Sequence, residues 1–201
     1  MVKRLFDLAG STVALLLLAP LLLLLALWIK FDSPGPVLFR QERVGRHGLL
    51  FRIRKFRTMA VDAPARGPQV TLADDPRITR VGRWLRRRRL DELPQLFDVL
   101  QGHMSLVGPR PEVPRFVAHY PSALRAAVLS LRPGLTDPAA LAHLDEAALL
   151  ADAADPEQVY IDRILPAKLR LQADYAASAT LLSDLQVLLQ TLARLLRRHH
   201  G

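Results

Sequence analysis

The hydrophobic positions divide the chain into an apolar N-terminal segment and a mixed remainder. Residues 8–29 contain no charged side chain and read LAGSTVALLLLAPLLLLLALWI. A straight helix of that length would reach roughly 33 Å, enough to cross the hydrocarbon core of a bilayer. The run is too long for the core of a signal peptide, and no small-residue cleavage site follows it. We therefore predict a membrane segment over residues 1–31 and a soluble region over residues 32–201.

The flanks of the apolar segment leave its topology open between two interpretations. Lys3 and Arg4 precede the segment and further basic residues follow it, beginning with Lys30. The positive-inside rule therefore draws both ends toward the cytoplasm. Pro20 removes a backbone hydrogen bond near the middle and favours a sharp kink there. A re-entrant hairpin broken at Pro20 and a single-span anchor with a mild kink both fit this pattern.

Periodicity in the soluble region predicts mainly helices and one small hairpin. Polar and apolar positions alternate over residues 37–57, with a turn at residues 45–48, which indicates two antiparallel strands. Helical spacing predicts helices over residues 93–100, 112–130 and 141–153, the first of them ending near Gly102. Leucines between residues 181 and 196 form the apolar face of an amphipathic helix. That face fits burial in the core with a tip at a membrane interface.

Charge narrows the class of partner but does not choose one. The chain carries 28 Lys and Arg against 19 Asp and Glu, a formal net charge of +9. Such an excess indicates an anionic partner, which could be nucleic acid, lipid headgroups or nucleotide phosphates. Arginines at positions 77, 80, 83 and 86 have helical spacing and predict one basic stripe, or simply a solvated face. The absence of cysteine excludes disulfides and thiolate metal sites and suits a reducing compartment.

Two short strings carry candidate chemistry. In RRRRLDELPQ, residues 86–95, the acidic pair Asp91 and Glu92 follows four arginines. The simplest interpretation is a charged helix start, where the macrodipole and the arginines would lower the pKa of Asp91. An ionised carboxylate can attack phosphorus or bind a metal ion. In SLVGPRPE, residues 105–112, two prolines and a glycine could hold Arg110 rigidly against a phosphate, or form a plain surface turn.

Five strings in this order produce a resemblance to a known family. They are FDSPGPVLFRQERVGRHG, FRIRKFRTM, DPRITRVGRWLR, LDELPQLFDVLQGHMSLVGPRPE and LRPGLTDPAAL. Behind an N-terminal hydrophobic segment, they resemble the bacterial sugar transferases, the monotopic polyprenyl-phosphate glycosyl-1-phosphate transferases. The similarity covers nearly the whole chain and corresponds to the small form, which lacks an added multi-span region.

The resemblance implies a fold and an activity. The fold would be mainly α with a small β-hairpin. It would combine a re-entrant membrane helix-break-helix over residues 1–31 with a compact cytoplasmic catalytic domain over residues 32–201, carrying amphipathic interfacial helices. The activity would be transfer of a sugar 1-phosphate from a UDP-sugar to undecaprenyl phosphate with release of UMP. Such a reaction begins the assembly of a polysaccharide or glycoconjugate, on the cytoplasmic face of the bacterial inner membrane.

The resemblance also implies roles for particular residues. Pro20 would be the membrane break, and Asp91 and Glu92 would form a Mg²⁺-dependent dyad. Asp91 would attack the β-phosphorus and form a covalent phosphosugar, while Glu92 would bind or position the metal. We assign phosphate contacts to a set of basic residues, namely Lys55, Arg57 and Arg110. Expected partners are the UDP-sugar, undecaprenyl phosphate, membrane lipids and downstream glycosyltransferases, but no nucleic acid.

Three positions depart from the usual family pattern. Ala19 precedes the proline where Ser or Thr is common, so no hydroxyl can bond a freed carbonyl there. His103 replaces a commonly acidic residue, and Asp98 replaces a common Asn. The dyad is intact, but the last two departures bear on any detailed metal coordination.

Two other classes of protein remain as alternatives. A membrane-anchored nucleic-acid-binding protein would explain the charge and the arginine stripe. It would leave the dyad and the proline-broken apolar run unexplained, and few aromatic residues accompany the arginines. A catalytically silent scaffold with the same fold is the second alternative, and the intact Asp91 and Glu92 argue against it.

Overall fold

A computed structural model describes residues 1–63, 66–67, 75–142, 149–150, 153 and 155–197, and the fold is mainly helical. The elements that precede the dyad are α1 (Val2–Asp32), β1 (Leu38–Val44), β2 (Leu50–Phe56) and α2 (Arg80–Arg87). The middle of the chain forms α3 (Gln95–Leu100), β3 (Ser105–Val107), α4 (Pro114–Val117), α5 (Ser122–Leu129), β4 (Gly134–Thr136) and α6 (Pro138–Leu141). The C-terminal part forms α7 (Pro156–Val159), a π-helical turn (Tyr160–Ile164), α8 (Leu165–Ser178) and α9 (Leu181–Arg197).

The predicted hairpin over residues 37–57 is confirmed. Strands β1 and β2 pair antiparallel, with Leu38 opposite Phe56 and Val44 opposite Leu50. Alternation along β2 places Phe51 and Ile53 in the core, where they belong to one cluster with α3 and β3 residues. The hairpin is thereby fixed against α3, directly behind the dyad.

A second, parallel pair of short strands was not predicted. Strand β3 pairs with β4, Ser105 lying opposite Gly134 and Val107 opposite Thr136. The backbones approach so closely that a Cβ on Gly134 would lie 2.1 Å from the amide nitrogen of Gly108. Three-residue strands show too little alternation to be recognised in the sequence. Their pairing nevertheless joins the segment containing Arg110 to the segment that follows residue 131.

Helix α3 confirms the helix expected over residues 93–100, although its regular part begins at Gln95. Its end is a Schellman motif: Gly102 donates to the carbonyl of Val99 at 3.0 Å, and His103 donates to that of Asp98 at 3.0 Å. Gly102 has φ +84°, the left-handed conformation that this motif requires. The prediction that the helix ends near Gly102 is therefore confirmed.

Helix α1 is continuous through Pro20. It is the one helix, within the ranges described, that is long and apolar enough to cross a membrane. Arg4 near its start donates to the carbonyls of Val99 at 2.6 Å and Leu100 at 2.9 Å. Leu25 and Ile29 near its end are buried in a cluster formed with the hairpin and α2. Both ends of α1 therefore contact the same body, and the re-entrant bend at Pro20 stays a prediction.

The basic stripe expected at positions 77, 80, 83 and 86 does not form one helix face. Arg77 precedes α2 and is ion-paired with Asp75 at 2.6 Å. Arg86 is partly buried, and its Nε donates to the Thr58 hydroxyl at 2.9 Å. Only Arg80 and Arg83 of the four are exposed, because α2 begins at Arg80 and turns Arg86 toward the body.

The remaining helix predictions have mixed outcomes. Helices α4 and α5 confirm the helical region at 112–130, whereas the region 141–153 lies largely outside the described residues. The C-terminal amphipathic helix is confirmed as α9, but its leucines are less buried than expected. Val187 is buried, whereas five leucines face outward, namely Leu181, Leu182, Leu185, Leu189 and Leu192. This apolar face is therefore not part of the protein core, and its placement at a membrane interface stays a prediction.

Candidate active site

The acidic pair lies in a tight turn between α2 and α3. Asp91 and Glu92 belong to a 3₁₀ turn, Leu90–Glu92. Before it, Arg89 has the left-handed conformation, φ 58° and ψ 18°, and its amide donates to the carbonyl of Arg86 at 3.1 Å. A non-glycine residue in this conformation costs about 1–2 kcal/mol. The left-handed residue ends α2 and redirects the chain, so that both carboxylates follow immediately after a sharp change of direction.

Glu92 is the centre of a buried charge cluster. Its Oε1 accepts hydrogen bonds from Lys55 Nζ at 2.7 Å and from Arg110 Nη2 at 2.7 Å. Burial alone would raise the pKa of Glu92, but Arg110 and Lys55 together hold the pKa well below its ordinary value. Glu92 is therefore ionised near neutral pH. The structure brings together three predicted site residues that are distant in the sequence.

Asp91 differs from Glu92 because its carboxylate has no bonded partner among the described residues. Its side chain is partly buried, and no hydrogen-bond or ion-pair partner for it occurs among the described residues. Burial, and then the neighbouring charge of Glu92, raises the pKa of Asp91, against the opposing effect of Lys55, Arg86 and Arg110. The predicted lowering of the Asp91 pKa was wrong, because burial disfavours the charged carboxylate, Glu92 lies beside it, and Asp91 does not begin a regular helix.

The backbone fixes Arg110 between two prolines. The carbonyl of Pro109 accepts from the amide of Gly134 at 2.9 Å, and the amide of Arg110 donates to Asp137 Oδ2 at 3.0 Å. Gln172 also donates to Asp137 Oδ2, at 3.1 Å. Asp137 thus acts as a positioning residue, one that the sequence analysis missed. Its only signal was a polar residue within LRPGLTDPAAL, directly after the segment that forms β4.

Lys55 and Arg110 also line a small pocket beside Glu92. Its wall includes Arg43 and Gln95, with Ile53 and Pro111 completing it. Burial lowers the pKa of Lys55, since the charge of Glu92 offsets only part of the cost of burying the ammonium group. Three basic side chains and one carboxylate therefore border one cavity. The lining favours a negatively charged ligand atom that accepts hydrogen bonds in place of Glu92.

Arg86 is a further basic residue near the dyad, which the sequence analysis had placed only in the basic stripe. Burial lowers the pKa of Arg86, and the charge of Asp91 opposes this shift. The sequence does not distinguish Arg86 from the other three arginines of the run, since a solvated charged face explains all four equally well.

Arg57, in contrast, does not join the cluster. It is buried, and its Nη2 donates to the carbonyl of Ser33 at 2.6 Å and to the Ser33 hydroxyl at 3.0 Å. Its Nη1 donates to the carbonyl of Pro34. These bonds satisfy carbonyl groups just beyond the end of α1. The placement gives Arg57 a structural role and gives the expected phosphate contact no support.

The two unusual residues also lie apart from the dyad. Asp98 is fully buried and is ion-paired with Arg54, whose backbone amide donates to Asp98 Oδ2 at 2.9 Å. Burial raises the pKa of Asp98, although Arg54 opposes the shift. His103 stacks on Phe51, with ring centroids 5.9 Å apart. Both residues hold α3 and the segment after it against the hairpin.

The donor set near Asp91 is suitable for a hard cation only if a ligand completes the coordination shell. No cluster of three or more His, Cys, Asp or Glu that could hold a metal occurs in the part of the chain that the structure describes. Asp91 offers uncommitted carboxylate oxygens, and Glu92 lies next to it. Mg²⁺ is commonly bound by one or two carboxylates together with substrate phosphates and water. The two residues fit that limited pattern.

Comparison with known proteins gives a consistent result. A family model described as bacterial sugar transferase matches residues 1–198. The chain is 42% identical over 198 residues to the UDP-glucose:undecaprenyl-phosphate glucose-1-phosphate transferase of Caulobacter vibrioides, covering 96% of this chain and 69% of that protein.

Two further relatives are more similar over shorter regions. The undecaprenyl-phosphate glucose phosphotransferase of Komagataeibacter xylinus is 56% identical over 114 residues, which are 56% of this chain and 21% of that protein. The exopolysaccharide production protein PSS of Rhizobium leguminosarum bv. phaseoli is 56% identical over 109 residues, 54% of each chain. The matched regions thus span between about a fifth and a half of these two relatives. The family model matches almost the whole chain, which shows that the chain belongs to the bacterial sugar transferase family.

Proposed function

We propose that this protein transfers a sugar 1-phosphate from a UDP-sugar to undecaprenyl phosphate, releasing UMP and forming undecaprenyl-diphosphate-sugar. The observation that carries the proposal is that Asp91 stands next to Glu92, whose carboxylate binds Lys55 and Arg110 at one pocket. The activities for which the relatives are named supply the substrate class. The identity of the sugar would follow from UMP release measured with a panel of UDP-sugars.

The reaction proceeds in two displacements at the same phosphorus atom. A carboxylate oxygen of Asp91 attacks the β-phosphorus of the UDP-sugar, and the bond from that phosphorus to the bridging oxygen breaks. UMP leaves with the bridging oxygen and its electron pair, so Asp91 carries the phosphosugar. An oxygen of undecaprenyl phosphate then attacks this phosphorus, and the bond to Asp91 breaks to restore the carboxylate.

The basic residues allow one anion to approach another. Lys55 and Arg110 bind Glu92 when no substrate is present, and the incoming phosphoryl oxygens take over part of these hydrogen bonds. Arg86 adds positive charge on the side of Asp91. These charges favour the ionised form of Asp91, which is the form that attacks. Their loss would leave several negative charges facing each other in a partly buried site.

Mg²⁺ is the cofactor of this proposal, and Asp91 and Glu92 are the residues that would hold it. When bound, it supplies neutralisation of phosphate charge and polarisation of a phosphoryl oxygen. The ion pairs of Glu92 support one role of the protein itself, namely holding a carboxylate in a fixed position. Glu92 is held by two cations in a fixed position, so it orients the site while Asp91 stays available.

We propose that α1 is re-entrant, with both of its ends on the cytoplasmic face of the inner membrane. Lys3 donates to the carbonyl of Val107 at 3.1 Å and is ion-paired with Asp184, both in the body. At the other end, Trp28 lies edge-on to Trp84 of α2, with ring centroids 5.1 Å apart. A true span would separate its ends by the bilayer thickness. Contacts of both ends with one body therefore favour placement of both ends on the same side, and Pro20 is the residue at which we propose that the segment turns back.

Intact-protein mass spectrometry tests the covalent step. Wild-type protein incubated with UDP-sugar and Mg²⁺, without lipid acceptor, should gain the mass of one phosphosugar and release one UMP. Asp91→Asn should form no adduct, because an amide is a poor nucleophile. Glu92→Gln should retain a trace, and Asp174→Asn, an exposed control on α8, should behave as wild type. Absence of adduct and UMP from wild type that is active with lipid acceptor would favour direct attack by the lipid phosphate.

Cysteine labelling tests the topology, since the chain has no native cysteine. Val2→Cys and Pro36→Cys each introduce one exposed cysteine, the first at the start of α1 and the second shortly after its end. Both should resist an impermeant reagent in intact cells and react in lysed cells. Labelling of one position from the periplasm would establish a span and overturn the re-entrant proposal. Pro20→Leu should shift some molecules toward a span, because it restores the interrupted hydrogen bond.

A further inference from the structure

The side-chain amide of Gln95 is buried without a hydrogen-bond partner. Gln95 is the first residue of α3 and is 3% exposed. Its Nε2 is fully enclosed, and no acceptor for it lies among the residues that the structure describes. An amide left in this state bears the desolvation penalty of a polar group, and native proteins rarely tolerate one without a reason. A ligand that supplies the acceptor is such a reason.

Gln172 provides an internal comparison. It has the same 3% exposure and the same side chain, but its Nε2 donates to Asp137 Oδ2 at 3.1 Å. The fold therefore satisfies one buried glutamine and leaves the other unsatisfied. The difference between them is location, because Gln95 lines the pocket beside Glu92 and Gln172 is not among the pocket residues.

The other residues of the pocket indicate the chemistry of the missing acceptor. Lys55, Arg110 and Arg43 line the same cavity as Gln95. The buried Nε of Arg43 also lacks a hydrogen-bond partner. Cationic groups and unused N–H donors outnumber the one carboxylate, Glu92. This lining favours a phosphate oxygen as the missing acceptor, and the diphosphate of a UDP-sugar carries several such oxygens.

We infer that Gln95 is a substrate-binding residue whose side-chain amide donates a hydrogen bond to a diphosphate oxygen of the UDP-sugar. The inference rests on the proposed function and adds a neutral donor to the cationic contacts. A neutral N–H donor makes a directional hydrogen bond without adding charge to the site, so it helps to orient the diphosphate relative to Asp91. The vacant donor of Arg43 lies in the same wall and is available to the same group.

Replacement by an apolar side chain of similar shape tests this inference. Gln95→Met should leave the melting temperature unchanged or raised, because it removes an unsatisfied buried amide. The same variant should bind UDP in the presence of Mg²⁺ about 10- to 100-fold more weakly, the range for a hydrogen bond to a charged acceptor. Gln95→Glu should weaken UDP binding further, since it adds a negative charge beside the diphosphate. Gln172→Met is the matched control and should lower the melting temperature, because it removes a donor from Asp137.

The outcomes separate the inference from the proposed function. Unchanged affinity of Gln95→Met for UDP, measured by calorimetry beside a binding wild type, would overturn the inference and leave the transferase proposal intact. A clear loss of melting temperature in Gln95→Met would also overturn it, since the amide would then be structural. A wild type that neither binds UDP nor releases UMP from any UDP-sugar would instead remove the proposed function and, with it, the inference.

Discussion

Glu92 and Asp98 are two buried acidic residues of one segment, and their charges are stabilised to different degrees. Each is paired with a neighbouring residue of β2, Glu92 with Lys55 and Asp98 with Arg54. Glu92 also binds Arg110, and its pKa is held well below the ordinary value. Burial instead raises the pKa of Asp98. One ion pair therefore does not offset the cost of burying a carboxylate here, whereas two basic partners do.

The surroundings of the two acids explain why this difference matters. Glu92 borders a pocket, together with both of its basic partners. Asp98 is fully enclosed, and its bonds tie α3 to the hairpin. We interpret the first group as the site that meets an anionic substrate and the second as a structural contact. The two can be separated experimentally, because each can be neutralised with little change in shape.

The largest expected effect is at Glu92. Glu92→Gln should lower kcat/KM by about 10³-fold, roughly 4 kcal/mol of transition-state stabilisation. The reason is that Lys55 and Arg110 lose their ion-pair partner and that the metal ion would be held less well. UMP release with undecaprenyl phosphate and the preferred UDP-sugar is the measurement. Glu42→Gln, an exposed change on β1, is the control and should leave the rate unaffected. A Glu92→Gln enzyme with wild-type kinetics would remove Glu92 from the site.

The second effect concerns the additional cation. Arg110→Met should lower kcat/KM by about 100-fold, because a positive group near the transferred phosphoryl is lost. The pKa of Glu92 should rise toward its ordinary value, since Arg110 is the largest influence that lowers it. Arg132→Met provides a control, because Arg132 donates to the carbonyl of Gly102 at 2.8 Å and not to Glu92. Equal losses in the two variants would indicate a general structural effect.

The third effect separates stability from chemistry. Arg57→Met should reduce the free energy of unfolding by about 1–3 kcal/mol, because it leaves buried carbonyls at the end of α1 without donors. The rate of UMP release per folded molecule should remain close to that of wild type. Chemical denaturation and activity measured on the same preparation provide the test, with exposed Arg125→Met as control. A hundredfold loss of rate with unchanged stability would restore Arg57 to phosphate binding.

The smallest effect is at Asp98. The folded pKa is raised, so the wild type loses stability as the pH rises from the unfolded value through the folded value. Replacement by a neutral amide avoids this cost, and Asp98→Asn should raise the melting temperature by about 1–3 °C at pH 7. The gain should shrink as the pH falls toward 4, because the carboxyl is then close to the ordinary pKa of an aspartate and is increasingly protonated in both states. Thermal melts at pH 4 and pH 7 are the measurement, and a lower melting temperature at pH 7 would show that the pair with Arg54 is net stabilising.

Local signals predicted the elements that are long or sharply bounded. The apolar segment, the hairpin, the helix before Gly102 and the C-terminal helix all follow from periodicity and turn residues. The parallel pair of β3 and β4 did not, because three residues per strand give no readable pattern. The stripe of arginines failed for a related reason: charge spacing did not reveal that Arg86 would turn inward and Arg77 would stay outside the helix.

The sequence by itself determined the family, the apolar segment, and the presence of Asp91, Glu92 and Arg110 in motifs suited to phosphate chemistry. Only the tertiary structure decided that Lys55 contacts Glu92 while Arg57, two residues later, binds carbonyls at the end of α1. It also decided the opposite pKa shifts of Asp91 and Glu92. The physical reason is that charge stabilisation depends on distance and burial in three dimensions, and the residues that set both are far apart along the chain.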